Sequence, residues 1–498
     1  MESGAFISLG IYFVVMLCIG YYSYQKTKND PSGFALGGRR LSPSVTALSA
    51  GASDMSGWML MGLPGALYIS GLSSVWIAIG LTIGAYLNYL LVPPRLRVYT
   101  EVVDDAVTLP QYFERRFRDR SHSLRLVCAI VIVVFFAIYT TSGVVAGGKL
   151  FETSFGLDYQ FGVLITAGVV VAYSAFGGFL AVSTTDFVQG CIMFVALILV
   201  PLVALSDVGG LAVSTNLLEA IDPGLLSLEG VGLLAVVSAA SWGLGYFGQP
   251  HIIVRFMAIR SVDEMATARR IGMTWMIVTL IGACSVGLIG AAYLSKVSLS
   301  LDDPETIFIF LSTTLFHPLI SGFLLAAILA AIMSTISSQL LVTSTSLIED
   351  IAQTFFLSNA SRAQLTFYGR VAVLAVALLA VALAQGGSSS ILSLVSKAWA
   401  GFGASFGPVV LLSLFWRRMT LMGALAGIIT GAVVVLVWVY GPITVGGQAL
   451  TSLMYEIVPA FICATLAIVI VSLLGSEPEP LIDDFDRMEA QLKSQLSH

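Results

Sequence analysis

Charge is scarce in this chain. Of its 498 residues 11% are Asp, Glu, Lys or Arg and 57% are hydrophobic, whereas about a quarter of a soluble domain is charged. That shortage excludes a water-soluble globule. Cysteine and histidine are scarce too, at five and four. Cys18, Cys128, Cys191, Cys284 and Cys463 lie far apart inside apolar runs, with no CxxC and no Cys/His ligand spacing. They read as small packing residues, not as a disulfide framework or a zinc site. His251 and His317 stand beside Pro250 and Pro318 at expected helix ends, without partners for a metal or a catalytic pair. With no nucleophile-base pair, an enzyme is not expected. No basic stripe is present to bind nucleic acid. Gly143 to Leu150 spells GxxxxGK but ends in Leu where a nucleotide loop needs Ser or Thr, and it closes an apolar helix instead of following a strand. Without a nucleotide site, uphill transport would have to draw on an ion gradient.

What is present is long apolar sequence. Runs of about 18 or more apolar residues can span the hydrocarbon, and they fall at about 5–24, 43–69, 72–92, 124–148, 160–181, 186–206, 229–251, 271–293, 319–348, 370–385, 391–415, 420–440 and 454–474. This is the pattern of an all-α polytopic membrane protein with about 13 transmembrane helices. The first run has no basic residue before it and a positive flank (Lys26, Lys28) after it, so it reads as a retained helix with its N-terminus outside.

Charge placement tests that orientation. The loops expected in the cytoplasm hold Lys26, Lys28, Arg39 and Arg40; Arg95, Arg97, Arg115, Arg116, Arg118, Arg120 and Arg125; and Arg255, Arg260, Arg269 and Arg270. Arg362, Arg370, Arg417, Arg418, Arg487 and Lys493 follow in later loops and the tail. Only Lys149, Lys296 and Lys397 fall elsewhere, as the positive-inside rule requires of this orientation. Residues 475–498 form a cytoplasmic tail whose acids, Glu477, Glu479, Asp483, Asp484 and Asp486, read as a solvated end. Arg255 reads as an interfacial anchor at a helix end, and Lys397 as a side chain snorkelling to the outer surface.

One span carries a carboxylate at its middle. Asp54 sits among Gly51, Ala52, Ser53, Ser56 and Gly57. An acid near the bilayer centre costs about 2.5–3.5 kcal/mol, so it persists where it faces an ion, a partner or water. The glycines weaken the helix on both sides, and a local break turns carbonyls and amides toward a cavity. A second interruption, Ser238 to Pro250 with Gly243, Gly245 and Gly248, lies five spans later. Interrupted segments in equivalent positions point to an inverted repeat with a site at mid-membrane. The repeats would run over about 43–206 and 229–415, with 5–24, 420–440 and 454–474 peripheral and Gly423, Gly427 and Gly431 a helix-packing face. All spans together form one transporter domain, 1–474.

A third constellation is Ala331, Ser334, Thr335, Ser337 and Ser338 in the ninth span. Such hydroxyls usually bond back to a carbonyl one turn earlier. Beside a broken helix they also suit sodium, a hard cation that takes several oxygens. Ser334 and Thr335 would supply hydroxyls, and Ala52 and Met55 freed carbonyls. Asp186, after Thr184 and Thr185 at the start of the sixth span, is either an N-cap or part of an ion path. Trp58, Tyr139, Trp242 and Tyr246 could form an apolar wall that also favours an ammonium group. Asp54 could equally carry a proton.

Ala47 to Trp58, Trp242 to His251, Ala330 to Thr335, Leu109 to Phe117 and Gly177 to Ser183 together resemble the sodium/solute symporter family over nearly the whole chain. The resemblance implies a five-plus-five inverted-repeat core of the LeuT type, in a bacterial inner membrane, moving L-proline inward with sodium by alternating access. It places sodium at Ala52, Met55, Ala331, Ser334 and Thr335, with Asp54 and Asp186 important for sodium dependence. It also places Ser56, Gly57, Trp58, Tyr139, Trp242, Tyr246 and Pro250 around proline. The fold serves many solutes, so another small zwitterion or carboxylate, coupled to sodium or protons, is the alternative. A membrane solute sensor is the different class, though the tail is too short for an output domain.

Overall fold

The computed structural model of the protein describes residues 3–27, 36–174, 178–228, 231–357, 359–386, 390–475 and 479–496. Lys28, Gly177 and Glu477, used in the readings above, lie outside the described residues, as do the side chains of Lys26, Arg362 and Glu479.

The architecture is helical almost throughout. In chain order the α-helices are α1 (Ser3–Thr27), α2 (Pro43–Asp54), α3 (Leu63–Ser70), α4 (Val75–Val102), α5 (Leu109–Arg116), α6 (Ser123–Phe155), α7 (Tyr159–Ser174), α8 (Phe179–Val208), α9 (Leu211–Ile221) and α10 (Leu233–Ala240). They continue as α11 (Pro250–Met257), α12 (Met265–Lys296), α13 (Ile307–Thr314), α14 (Pro318–Thr345), α15 (Arg362–Leu383), α16 (Ile391–Phe415), α17 (Leu421–Tyr440), α18 (Leu450–Leu453), α19 (Ile457–Leu474) and α20 (Glu479–Leu496). A two-stranded hairpin, Thr444–Val445 with Gln448–Ala449, precedes α18.

Helix starts follow local chemistry. Ser42 accepts from the Val45 amide ahead of Pro43 in the first turn, Thr108 from Gln111 and Thr420 from Gly423. Ser361 and Gln364 form a reciprocal capping box.

Among the described residues nine helices are long and apolar enough to cross a membrane. Tyr159–Ala172, Leu233–Gly248 and Phe367–Leu383, in the fifth, seventh and tenth expected spans, are shorter apolar helices. Trp58–Val102 joins the second and third expected spans into one long apolar stretch, turned at Gly71, whose φ is 61°. Large apolar side chains such as Phe6, Leu202, Leu378 and Leu466 are exposed on the outer helix faces. In lipid every backbone polar group must be satisfied internally, so these helices can present such faces to hydrocarbon.

The enclosed helices carry the site. α14 packs against α1, α2, α6 and α8, and α16 packs against α6, α17, α19 and the segment Ser241–Gly248. That segment lies almost backbone to backbone on α4: a Cβ on Gly243 would sit 2.2 Å from the Gly80 carbonyl oxygen, and one on Gly84 2.2 Å from that of Gly243. Only glycine permits this approach. The Gly423/Gly427/Gly431 face does pack a neighbour, since a Cβ on Gly427 would meet Ile468 at 2.3 Å.

Two expectations change. Gly143 to Leu150 is helix interior in α6, and Lys149 pairs with Glu305 at 2.8 Å and Asp303 at 2.7 Å. Glu305 also accepts from Ser390 Oγ and from the Ile391 and Leu392 amides, holding the start of α16. The acidic tail is not a solvated end. It forms α20, which buries Leu481, Phe485, Met488 and Leu492 and pairs Asp484 with Arg118, Asp486 with Arg417 and Glu489 with Arg95. The apolar period of the tail prevails over its acidity, because its acids find arginines beside it.

Candidate functional site

The second span breaks where the glycines indicate. α2 ends at Asp54, Met55 leaves helical geometry at φ −84°, ψ 78°, and a π-helical turn, Trp58–Gly62, leads into α3. The freed Asp54 carbonyl accepts from three groups: the Ser56 amide at 3.0 Å, Trp58 Nε1 at 3.1 Å and the Tyr139 hydroxyl at 3.1 Å. The Asp54 side chain is buried at 2% exposure, and its Oδ2 accepts from the Tyr246 hydroxyl at 2.5 Å. The other interruption consists of the 3-10 stretch Ser241–Gly248 and extended Gln249, before Pro250 starts α11. Tyr246 therefore ties the two interruptions together through Asp54.

Behind the first break, α14 presents its hydroxyls. Ser334 Oγ donates to the Ala52 carbonyl at 2.7 Å and lies 3.1 Å from that of Ala331, while Thr335 Oγ1 lies 3.4 Å from the Ala52 carbonyl. Ala52, Ala331, Ser334 and Thr335 are thus one oxygen cluster, fully buried. Met55 sits beside it in the interruption, its sulfur 3.8 Å from Thr279 Oγ1. Neutral oxygens of this kind suit a hard monovalent cation, with the hydroxyls turning their lone pairs to the ion.

Aromatic rings gather around Asp54, with Trp58, Tyr139 and Tyr246 bonded to it. The Trp58 and Trp242 ring centroids are 6.4 Å apart. Gly57 allows close packing on α6, where its Cβ would lie 2.8 Å from that of Ala146, and Ser56 is buried next to it.

The sodium:solute symporter family matches residues 34–431 of this sequence. The chain belongs to that family. The osmoregulated proline transporter OpuE of Bacillus subtilis (strain 168) is 55% identical over 95% of both chains. The high-affinity proline transporter PutP of the same organism is 55% identical over 94% of this chain and 98% of its own. Sodium/proline symporter 2 of Staphylococcus saprophyticus is 49% identical over 98% and 96%. A solved Na+-coupled sialic acid symporter, in a substrate-bound outward-open state, shares the fold with a TM-score of 0.79 over 96% of this chain and 99% of its own, at 19% identity. The core of this family member is therefore of the LeuT type.

Within it two sequence readings are corrected. Asp186 is no N-cap: α8 starts at Phe179 after Gly178, which leaves Asp186 two turns inside the helix. Arg255 is no interfacial anchor: it is 0% exposed and pairs with Asp186 at 3.1 Å. Its guanidinium also donates to Ser49 Oγ, the His251 carbonyl and Ser338 Oγ, and Ser49 Oγ donates to Asp186 at 2.8 Å. A buried charge needs this full set of partners. Pro250 lines a cavity of about 30 Å³ with Thr108, Phe179, Val254 and Asp350, to which none of the four aromatics contributes.

One residue is misplaced by the sequence and two escape it. Arg255, inside the apolar run His251 to Met257, had a signal, because an arginine there is costly unless paired. Trp399 donates to the Trp242 carbonyl at 2.7 Å and crosses Tyr246 edge-on at 5.1 Å. Tyr455 stacks on Trp242 at 5.3 Å. A single aromatic in a span or at its end reads from sequence as lipid or interface packing, and nothing local distinguishes these two.

Proposed function

We propose that this protein is a secondary active transporter that brings L-proline into the cell together with sodium by alternating access. The observation that carries the reading is the convergence of the Ser334 and Thr335 hydroxyls on the Ala52 carbonyl, with Ser334 also against the Ala331 carbonyl, two residues before a buried carboxylate that the second interruption grips through Tyr246. Sodium takes Ala52, Met55, Ala331, Ser334 and Thr335, and Asp54 and Asp186 serve its passage. Proline, a zwitterion with an apolar ring, takes the broken backbone and Ser56, Gly57, Trp58, Tyr139, Trp242 and Tyr246, with Pro250 on the path beyond. The full-length relatives named as proline transporters and sodium/proline symporters support that substrate and ion.

The repeats run over 43–206 and 229–415, and the end rich in arginine is cytoplasmic, with the N-terminus outside and the C-terminus inside. The driving force suffices. A tenfold sodium gradient supplies about 1.4 kcal/mol and 100 mV adds about 2.3 per sodium, enough for a few hundredfold accumulation.

Counterflow in proteoliposomes with a panel of labelled amino acids, with and without sodium, tests the reading. Sodium-dependent exchange confined to proline and its close analogues is expected. Exchange of a different zwitterion in preference to proline, or full exchange in sodium-free, pH-driven vesicles, overturns it.

A further inference from the structure

A segment outside both repeats touches the aromatic group. Tyr455, at the turn before α19, stacks its ring on Trp242 with centroids 5.3 Å apart and planes at 26°. Its hydroxyl donates to the Ser396 carbonyl in α16 at 2.7 Å, and its amide donates to Ser238 Oγ in α10 at 3.2 Å. The residue is buried, and the preceding carbonyl, Met454, accepts from Trp438 Nε1 of α17 at 3.0 Å. Tyr455 is thus fixed from three directions and has one face left, which lies against Trp242.

Trp242, buried in the core, has two further specific contacts. Its backbone carbonyl accepts from Trp399 Nε1, and its ring lies 6.4 Å from Trp58 in a tilted arrangement. It stands at the first interrupted residues after α10, where the backbone ladder that would hold its rotamer changes from α to 3-10 geometry. The stacked partner is the rigid body against which that ring is set.

We infer that Tyr455 is a positioning residue for the substrate: it sets the plane of Trp242 and ties that plane to α16, so that proline affinity depends on a side chain from a segment beyond the repeats. This rests on the reading of Trp242 as part of the proline wall. An offset aromatic pair contributes about a two- to tenfold factor in an equilibrium constant. The hydroxyl bond to Ser396 locates the ring, while the stack acts on Trp242.

The experiment is proline uptake by Tyr455→Ala, Tyr455→Phe, Trp242→Ala and the double variant Tyr455→Ala/Trp242→Ala, with surface abundance measured for each and Ile462→Ala, exposed on α19, as the control. Tyr455→Ala should raise the half-saturating proline concentration about two- to tenfold and leave half-saturating sodium, measured at saturating proline, within twofold. Tyr455→Phe, which keeps the stack and loses the bond to Ser396, should fall between wild type and Tyr455→Ala. In the Trp242→Ala background the Tyr455→Ala change should add nothing, because the partner ring is gone. Unchanged proline affinity in Tyr455→Ala beside a loss in Trp242→Ala overturns the inference and leaves the wall standing. Independent losses that multiply in the double variant, or an equal shift in sodium and proline dependence, overturn it as well. Unchanged affinity in Trp242→Ala overturns the wall and the inference together.

Discussion

The Tyr246 hydroxyl donates to Asp54 Oδ2 at 2.5 Å and so joins the two interrupted spans through a single short hydrogen bond. The other oxygen, Oδ1, has no partner among the described residues. Asp54 is therefore half-satisfied: one oxygen is pinned and the other is buried without a partner. A hydrogen bond to a charged group contributes about 1.5–3 kcal/mol, close to a tenfold or larger factor in ion affinity if the pinned geometry is the binding geometry.

Tyr246→Phe should accordingly raise the sodium concentration for half-maximal uptake about tenfold, measured at saturating proline. Asp54→Asn, which keeps the size and removes the charge, should abolish sodium-driven uptake in a protein of normal abundance. A Tyr246→Phe variant that changes proline affinity alone would assign the hydroxyl to the substrate and not to Asp54.

The paired hydroxyls give a second expectation. Ser334 and Thr335 both point at the Ala52 carbonyl, so removing one leaves the other to fill the shell. The double variant Ser334→Ala/Thr335→Ala should raise half-saturating sodium far more than either single change, with abundance little altered. Sodium dependence equal to wild type in the double variant would place the ion elsewhere.

How far the site could be read from sequence follows from what each residue needs. Asp54 and its glycines were legible because a carboxylate in an apolar run is costly wherever it sits, and the α14 hydroxyls because they share one helix. Arg255 was misplaced because its partner, Asp186, is 69 residues away, and positive-inside counting treats an arginine near a span end as interface. Tyr455 and Trp399 were invisible because only the packing of α16 and α19 on the second interruption brings them to Trp242. The tail was misread for a different reason. Leu481, Phe485, Met488 and Leu492 recur at helical spacing, but the acids between them mask that period when the segment is read by its charge.

The Asp186–Arg255 pair makes a prediction about stability. Neither side chain is exposed, so removing one charge leaves the other buried and unpaired, at a cost of about 3–5 kcal/mol. Asp186→Asn and Arg255→Gln should each lower abundance and the melting temperature in detergent, and the double variant should recover much of both. Whether the recovered double variant still couples uptake to sodium then separates an ion path from a structural role. Single variants that melt with wild type would show that the pair bears no load.

The last prediction weighs two forces that hold α20. Its ion pairs join Asp484 to Arg118 at 2.9 Å and Asp486 to Arg417 at 2.7 Å, yet the arginine side chains are each 51% exposed, and exposed pairs contribute about 0–1 kcal/mol. Its apolar face is another matter: Met488 is 0% and Leu481 1% exposed, and burying one such side chain contributes about 1.5–3 kcal/mol. The Arg116 guanidinium adds a ring contact, 5.8 Å from the Phe485 centroid. Burial should therefore dominate. Arg118→Ala should leave the tail about as resistant to protease as wild type in inside-out membrane vesicles, whereas Met488→Asp should release it and expose cleavage sites between residues 479 and 496. If high salt alone frees the tail while Met488→Asp keeps it docked, the ion pairs and not the apolar face hold the helix in place.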